Sequence, residues 1–277
     1  MALRWADVVS KRLLSRLAWR RKRSRHVKAV LDAIIADILR GGADHLAITG
    51  DLTNFSTPEE FEAAQAWLAG LGDPVRITVS PGNHDALVGH DASPDFRPLR
   101  PWLGDPGGAG FPYLRVRGPV AIVNLSSAGP TRVHLAQGTL GSDQVVRAEA
   151  MLRETGEAGL YRVVLLHHPL AAGVVARRKA LTDADGMRAA LGRAGAELVL
   201  HGHAHEALLN VVPGPHADVP VIGVPSASTP AGLPHDQAAR WNEIDIERHG
   251  AAFQTRVTAR EITANLGIVT TGQFILS

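Results

Sequence analysis

Four short polar motifs carry most of the chemistry that this sequence can perform. They are Gly50-Asp51, Gly82-Asn83-His84-Asp85, His167-His168-Pro169 and His201-Gly202-His203-Ala204-His205. Their side chains supply carboxylate oxygens, amide oxygens and imidazole nitrogens, a ligand set that suits manganese, iron, zinc or cobalt. The sequence contains no cysteine, so thiolate ligands and disulfides are excluded. The motifs therefore predict a site for a divalent metal ion that activates water.

The histidine-rich motif at 201–205 is the hardest of the four to explain as a structural turn. Alternate residues of an extended segment project to one side, so we expect its three imidazoles to converge. Such convergence has little structural purpose without a cation. The other three motifs occur individually in turns and at packed strand ends. Their combination in one chain favours a functional site.

Each motif directly follows a predicted strand, namely 45–49, 75–80, 162–166 or 197–200. The apolar pattern also predicts helices over 26–40, 57–69, 143–153 and 184–193, and strands at 120–125, 207–212, 219–224, 241–247 and 251–258. Alternating strands and helices indicate a layered α/β domain, in which ligands gather beyond the carboxyl ends of the strands. Residues 86–118 are rich in proline and glycine and are predicted to form a long surface loop.

Composition indicates a soluble globular protein, with 45% hydrophobic and 20% charged residues in 277. We expect a single domain over 1–277 in the cytoplasm, since neither a membrane span nor a signal peptide is evident. The net charge is only +2, yet residues 10–28 hold nine basic side chains and no acidic one. Within 1–25 this basic segment is amphipathic. It could bind anionic lipid or nucleic acid, or be a solvated helix face.

The order Gly-Asp, Gly-Asn-His-Asp, His-His-Pro and Gly-His-x-His resembles that of the calcineurin-like metallophosphoesterases. This group includes purple acid phosphatases and class III cyclic nucleotide phosphodiesterases, and the resemblance covers roughly residues 26–247. It implies a four-layer α-β-β-α sandwich with two divalent metal ions at one edge of the central sheets. It also implies hydrolysis of small-molecule phosphate esters, with phosphodiesters favoured, by a metal-activated hydroxide.

The resemblance also implies a role for individual residues. The metal ligands are Asp51, which bridges both ions, Asn83, His167 and His203 at one ion, and His205 at the other. His84 is not a ligand in this scheme. It protonates the leaving oxygen or stabilises charge on the phosphoryl group, and Asp85 orients it. His201 is expected behind the ligands or at a strand end.

The chain departs from the family pattern in one respect. The family's opening Asp-x-His motif has no counterpart before Asp51, so we expect the first strand to be missing and only one of the two ions to be held. An incomplete reading frame, a weakly active or mononuclear hydrolase, and a non-catalytic protein that binds anionic lipid or nucleic acid through residues 10–28 all remain open. A nuclease of the DNA-repair branch is a further alternative, and the sequence leaves the oligomeric state open.

Overall fold

The computed structural model describes residues 26–87, 96–108, 110–132, 134–250 and 252–276. The helices are α1 (Lys28–Gly41), α2 (Pro58–Leu71), α3 (Ser142–Glu157) and α4 (Ala184–Ala194), with 3-10 turns at Pro74–Arg76, Arg97–Trp102 and Arg177–Lys179. The strands are β1 (Leu46–Ile48), β2 (Ile77–Val79), β3 (Tyr113–Arg117), β4 (Val120–Asn124), β5 (Tyr161–Leu165), β6 (Leu198–His201), β7 (Leu208–Val212), β8 (Val219–Gly223), β9 (Arg240–His249), β10 (Ala252–Ile262) and β11 (Ile268–Leu276). The predicted basic segment at 1–25 lies outside the described residues.

The strands form three sheets. The largest has the order β3-β4-β5-β6-β8-β7, with β4, β5, β6 and β8 mutually parallel and antiparallel strands at both edges. β1 and β2 form a parallel pair, and β9, β10 and β11 form an antiparallel sheet. Within the described residues, β1 pairs only with β2, and β9 only with β10. The parallel strands bring the polar motifs that follow them to shared sheet edges.

The layers follow the order helix, sheet, sheet, helix, which confirms the predicted α/β sandwich. Alternate residues of β4 show why, since successive side chains of a strand face opposite sides. Ile122 packs in the cluster that contains Val257 of the β9–β11 sheet, whereas Val123 packs with Leu152 of α3 and Leu191 of α4. On the other side of the molecule, α1 packs against the β9–β11 sheet.

The prediction of an unstructured surface loop over 86–118 is wrong in its second half. Residues 97–102 form a 3-10 turn and 113–117 form β3, the edge strand of the large sheet. Leu99 and Leu103 are buried, and the buried Arg115 guanidinium donates to the carbonyls of Pro74, Pro101 and Gly104. Outside β3, the apolar residues of this segment are buried one by one in irregular backbone, and the segment therefore lacks sequence periodicity.

No helix in the described part of the chain is both long and apolar enough to span a membrane. The cytoplasmic location stays a prediction.

A buried carboxylate fixes α1 on the carboxyl-terminal sheet. Asp37 is 6% exposed and accepts hydrogen bonds from Trp241 Nε1 at 3.0 Å, Arg260 Nε at 2.8 Å and Arg40 Nη2 at 3.1 Å. Burial raises the pKa of Asp37, but the bonds from Arg260, Arg40 and Trp241 outweigh it and lower the pKa below its usual value. The stability gained is therefore present above the unfolded pKa, near 4, and is lost as the pH falls through the folded pKa.

Replacing Asp37 with alanine is expected to lower the free energy of unfolding by about 2–4 kcal/mol, because Arg260 and Trp241 lose a buried, charged partner. Urea unfolding at pH 7 measures this. The matched control is Asp32→Ala in the same helix, which removes only an exposed ion pair with Lys28 and should cost no more than about 0.5 kcal/mol. Equal losses in the two variants would contradict the prediction.

Candidate active site

Two interlocked turns, one after β1 and one after β2, form the first half of the site. Asp51 has a left-handed backbone (φ 61°), and its Oδ1 accepts the backbone N–H of His84 at 2.9 Å. A Cβ atom on Gly82 would lie 2.1 Å from Asp51 Oδ1 and 2.5 Å from its backbone nitrogen. Glycine at 82 is therefore required for the two turns to approach each other so closely.

Asp85 ties these turns together. Its carboxylate is 1% exposed and accepts four hydrogen bonds, from the backbone N–H groups of Asp51 (3.0 Å), Gly82 (2.9 Å) and Thr53 (2.8 Å) and from the Thr53 hydroxyl (3.0 Å). Burial and the charge of Asp51 raise the pKa of Asp85, while these bonds oppose the shift. The side chain thus holds the backbone on which Asp51 and its neighbours are presented.

The half-buried His84 ring is oriented by the other turn. Its Nδ1 lies 3.0 Å from the carbonyl oxygen of Asn54, and since a carbonyl can only accept, Nδ1 carries a proton. The backbone carbonyl of His84 accepts the hydroxyls of Thr53 (3.1 Å) and Ser56 (2.7 Å). These contacts correct the expectation that Asp85 orients the ring, because all four hydrogen bonds of that carboxylate go elsewhere.

A cluster around His167 joins the turns after β1 and β2 to the residues that follow β5 and β6. His167 Nδ1 donates to the Thr49 carbonyl at 2.6 Å. Its Nε2 lies 3.2 Å from Asn83 Oδ1, 3.2 Å from His203 Nδ1 and 3.4 Å from Asp51 Oδ2. Four of the five predicted metal ligands therefore meet at one point between the sheets.

The protonation states within this cluster follow from its outer hydrogen bonds. His203 Nε2 donates to the Lys179 carbonyl at 3.0 Å. Burial, followed by the charges of His168 and His167, lowers the pKa of His203 to about 2, so the ring is neutral and its Nδ1 presents a lone pair. Burial alone would lower the pKa of His167, but the charge and hydrogen bond of Asp51 raise it. The same attraction outweighs burial and holds the pKa of Asp51 well below its usual value.

The four atoms that meet in this cluster, one each from Asp51, Asn83, His167 and His203, can direct lone pairs at a cation. Asp51 Oδ2, Asn83 Oδ1 and His203 Nδ1 have no proton to offer, so only a proton on His167 Nε2 or a metal ion relieves their mutual repulsion. Ligand atoms bound at 2.0–2.2 Å are roughly 2.8–3.6 Å apart, which matches the observed separations. No three His, Cys, Asp or Glu side chains among the described residues are by themselves arranged to hold an ion. A metal ion here would depend on the Asn83 amide oxygen as well.

His168 packs its ring against that of His203, with centroids 4.3 Å apart, but its nitrogens bond outside the cluster. Its Nδ1 lies 2.7 Å from the Ser127 hydroxyl and its Nε2 lies 3.2 Å from the Ala136 carbonyl. Burial and the charge of His167 lower its pKa to about 3. Both of its nitrogens are thus used in packing, and His167 is the member of the pair that faces Asp51.

The predicted convergence of three imidazoles at 201–205 is wrong. His203 and His205 have left-handed backbones (φ 61° and 59°), so this segment turns instead of running extended. His201 ends β6, where its ring packs against Gly223 and bonds the Gly202 carbonyl through Nδ1 at 3.0 Å. His205 is exposed, and within the described residues only His203 of the three joins the hydrogen-bonded cluster.

The stretch of chain that contains Asp51, Asn83, His167 and His203 matches a known protein family. The sequence profile of the family "Calcineurin-like phosphoesterase" matches residues 23–207, two thirds of the chain. The chain belongs to this family. This phosphoesterase is thus a hydrolase that acts on phosphoric ester bonds.

Known relatives of this phosphoesterase include two proteins named as phosphodiesterases. It is 25% identical to a Synechococcus protein named "Probable cyclic nucleotide phosphodiesterase" over 222 residues, which are 79% of this chain and 78% of that protein. It is 31% identical to the glycerophosphodiester phosphodiesterase GpdQ of Enterobacter lignolyticus over 132 residues, 47% of this chain and 44% of that protein. The solved structure of a dimetal phosphatase from Danio rerio shares the fold, with a TM-score of 0.55 at 11% identity over 88% of each chain.

Several groups that position the site carry no signal in the sequence. The carbonyls of Thr49, Asn54 and Lys179 hold the three rings of His167, His84 and His203. Any residue type has such a carbonyl, so sequence alone could not single out these positions.

Proposed function

We propose that this phosphoesterase hydrolyses small phosphodiesters with the aid of bound divalent metal ions. The observation that carries the proposal is the meeting of Asp51 Oδ2, Asn83 Oδ1 and His203 Nδ1 at 3.2–3.4 Å from His167 Nε2. The names of the Synechococcus and Enterobacter relatives support diesters over monoesters. The name of the Danio rerio protein, a dimetal phosphatase, supports the metal requirement.

In this proposal Asp51, Asn83, His167 and His203 hold one ion, and Asp51 and His205 contribute to a second. Manganese, iron, zinc and cobalt all suit this ligand set. When bound, the ions activate water and neutralise charge that develops on the phosphoryl oxygens. The Thr49 and Lys179 carbonyls keep the two histidine rings in the tautomer that presents a lone pair to the ion.

The remaining residues bind and protonate the substrate. His84 Nδ1 keeps its proton on the Asn54 carbonyl, so Nε2 is the atom that faces the substrate. In the imidazolium form Nε2 gives its proton to the leaving oxygen and the ring is left neutral with its proton on Nδ1. An open depression of about 310 Å³ lies beside His205, lined by residues 204–206 and 234–237. We assign it to the alcohol portion of the ester.

Reconstitution of metal-free protein with manganese, zinc, cobalt or ferrous iron tests the proposal. Turnover of bis(p-nitrophenyl) phosphate should depend on metal, and its kcat/KM should exceed that of p-nitrophenyl phosphate at least about tenfold, about 1.4 kcal/mol of transition-state preference. Metal-independent turnover would contradict the metal requirement. Faster monoester turnover would contradict the assigned substrate class.

A further inference from the structure

Glu60, in the first turn of α2, is a carboxylate that the proposed reaction does not use. Its Oε2 accepts the backbone N–H of Phe55 at 2.9 Å and that of Thr57 at 3.1 Å. Its Oε1 accepts the N–H of Asn54 at 3.2 Å. The bond from Thr57 belongs to the capping box of α2, in which the Thr57 hydroxyl accepts the Glu60 N–H in return. The bonds from Asn54 and Phe55 lie outside the helix, so capping does not explain them.

One peptide group connects Glu60 with His84. The carbonyl of Asn54 and the N–H of Phe55 are the two ends of the same planar unit. The N–H end donates to Glu60 Oε2 at 2.9 Å, and the carbonyl end accepts from His84 Nδ1 at 3.0 Å. The two ends of a trans peptide point in opposite directions. By fixing the N–H, the carboxylate therefore fixes the direction of the carbonyl that holds the His84 ring.

The loop around this peptide group needs such an anchor. Ser56 has a left-handed backbone (φ 52°), which residues with a Cβ atom rarely adopt. The hydrogen bonds of Asp85 to this loop end at Thr53. Glu60 holds the part that follows, including the peptide group behind His84.

The charge of the carboxylate also acts on the proton of the ring. A peptide N–H that donates to a carboxylate makes the carbonyl of the same unit a stronger acceptor, because successive hydrogen bonds polarise one another. A stronger acceptor favours the proton on His84 Nδ1. This tautomer is also the one that remains after Nε2 has given its proton to the leaving oxygen.

We propose that Glu60 is the positioning residue for His84, acting through the Asn54–Phe55 peptide group on the orientation of the ring and on the site of its proton. This inference rests on the proposed function, because His84 is the proton donor of that reaction. It gives Glu60 the role that the sequence suggested for Asp85. Glu60 acts through the peptide group and not on the substrate or the metal ions.

The kinetic test compares Glu60→Ala with wild type, His84→Ala and the double variant, all loaded with manganese. In Glu60→Ala the kcat for bis(p-nitrophenyl) phosphate should fall about 10–100-fold, the effect of a small displacement of a catalytic group, with unchanged KM and manganese content. In the His84→Ala background the same change should lower kcat no further, because both substitutions act through one ring. Glu60→Gln keeps one oxygen acceptor and should recover part of the loss.

Thr57→Ala is the matched control for helix capping. It removes the other side chain of the capping box and weakens the same helix start. It leaves the bonds from Asn54 and Phe55 to Glu60 in place. This variant should be less stable to urea than wild type and should keep the wild-type kcat.

A spectroscopic measurement reports on the ring without turnover. Long-range proton–nitrogen NMR spectra of zinc-loaded protein, at a pH where the His84 ring is neutral, should show the proton on Nδ1 in wild type. In Glu60→Ala the proton should be shared between both nitrogens. The His84 resonances are identified by their absence in His84→Ala.

The outcomes separate this inference from the proposed function. An unchanged tautomer in Glu60→Ala, or an equal loss of kcat with and without His84, would overturn the inference while leaving the hydrolase assignment intact. Wild-type kcat in His84→Ala would contradict the proposed proton transfer, and a shifted tautomer in Glu60→Ala would still support the positioning of the ring.

Discussion

Replacing Asp51 with asparagine is expected to lower turnover at least about 10³-fold and to abolish retention of a metal ion. Asparagine keeps the shape of the side chain and an oxygen that can accept the His84 backbone N–H, but it removes the negative charge. Among the described residues, Asp51 supplies the one carboxylate that contacts His167 Nε2. Losing this charge removes several kcal/mol of stabilisation from the bound metal ion and from the transition state. About 1.4 kcal/mol corresponds to a tenfold change in rate.

The measurement is metal content per chain after dialysis, together with kcat/KM for the diester. Asp44→Asn is the matched control, because Asp44 is exposed and precedes β1 in the same part of the chain. It should retain wild-type metal and activity. Because the Asp85 carboxylate still holds the Asp51, Thr53 and Gly82 backbones, the Asp51→Asn variant should fold. A folded Asp51→Asn protein that keeps its ion and its turnover would exclude Asp51 as a ligand.

The convergence of the site could be predicted because it depends on local patterns. Short apolar runs before Asp51, Asn83 and His167 indicate buried strands, and parallel strands place their carboxyl ends along one edge. The start of the helix at Pro58 could also be predicted from the sequence. Thr57 and Glu60 have the spacing of a capping box, and the structure contains that capping box. These features need no knowledge of distant contacts.

The features that could not be predicted depend on contacts far apart in sequence. His203 and His205 adopt left-handed backbones that an extended reading of 201–205 does not anticipate, and 118 positions separate the Thr49 carbonyl from the His167 ring that it orients. The sequence of β11 (Ile268–Leu276) does not alternate between apolar and polar residues, and this segment becomes a strand by pairing with β10.

The predicted ligand His205 differs from the other four predicted ligands in its surroundings. The four other predicted ligands lie together, with contacts of 3.2–3.4 Å around His167 Nε2. His205 stands apart and exposed, with His26 as its ring neighbour. Under the proposed function, an ion held by the His167 cluster is expected to bind more tightly than one at His205, because more of its proposed ligands are already in place.

Removing the His84 side chain is expected to lower kcat by about 10²–10⁴-fold, the usual range for a general acid, without changing metal content. The loop should keep its form in His84→Ala, because its anchors are backbone groups. The N–H of residue 84 donates to Asp51, and its carbonyl accepts the Thr53 and Ser56 hydroxyls. The loss therefore reports on the imidazole itself.

The dependence of this loss on the leaving group identifies what His84 does. If Nε2 protonates the leaving oxygen, diesters with basic alkoxide leaving groups need the acid more than p-nitrophenyl esters do, so His84→Ala should impair alkyl diesters more strongly. Parallel kcat measurements on an alkyl and an aryl diester make the comparison, with exposed His216→Ala as the control. An equal loss for both leaving groups would exclude protonation and assign His84 to stabilising charge on the phosphoryl oxygens, because that charge develops whichever alcohol departs.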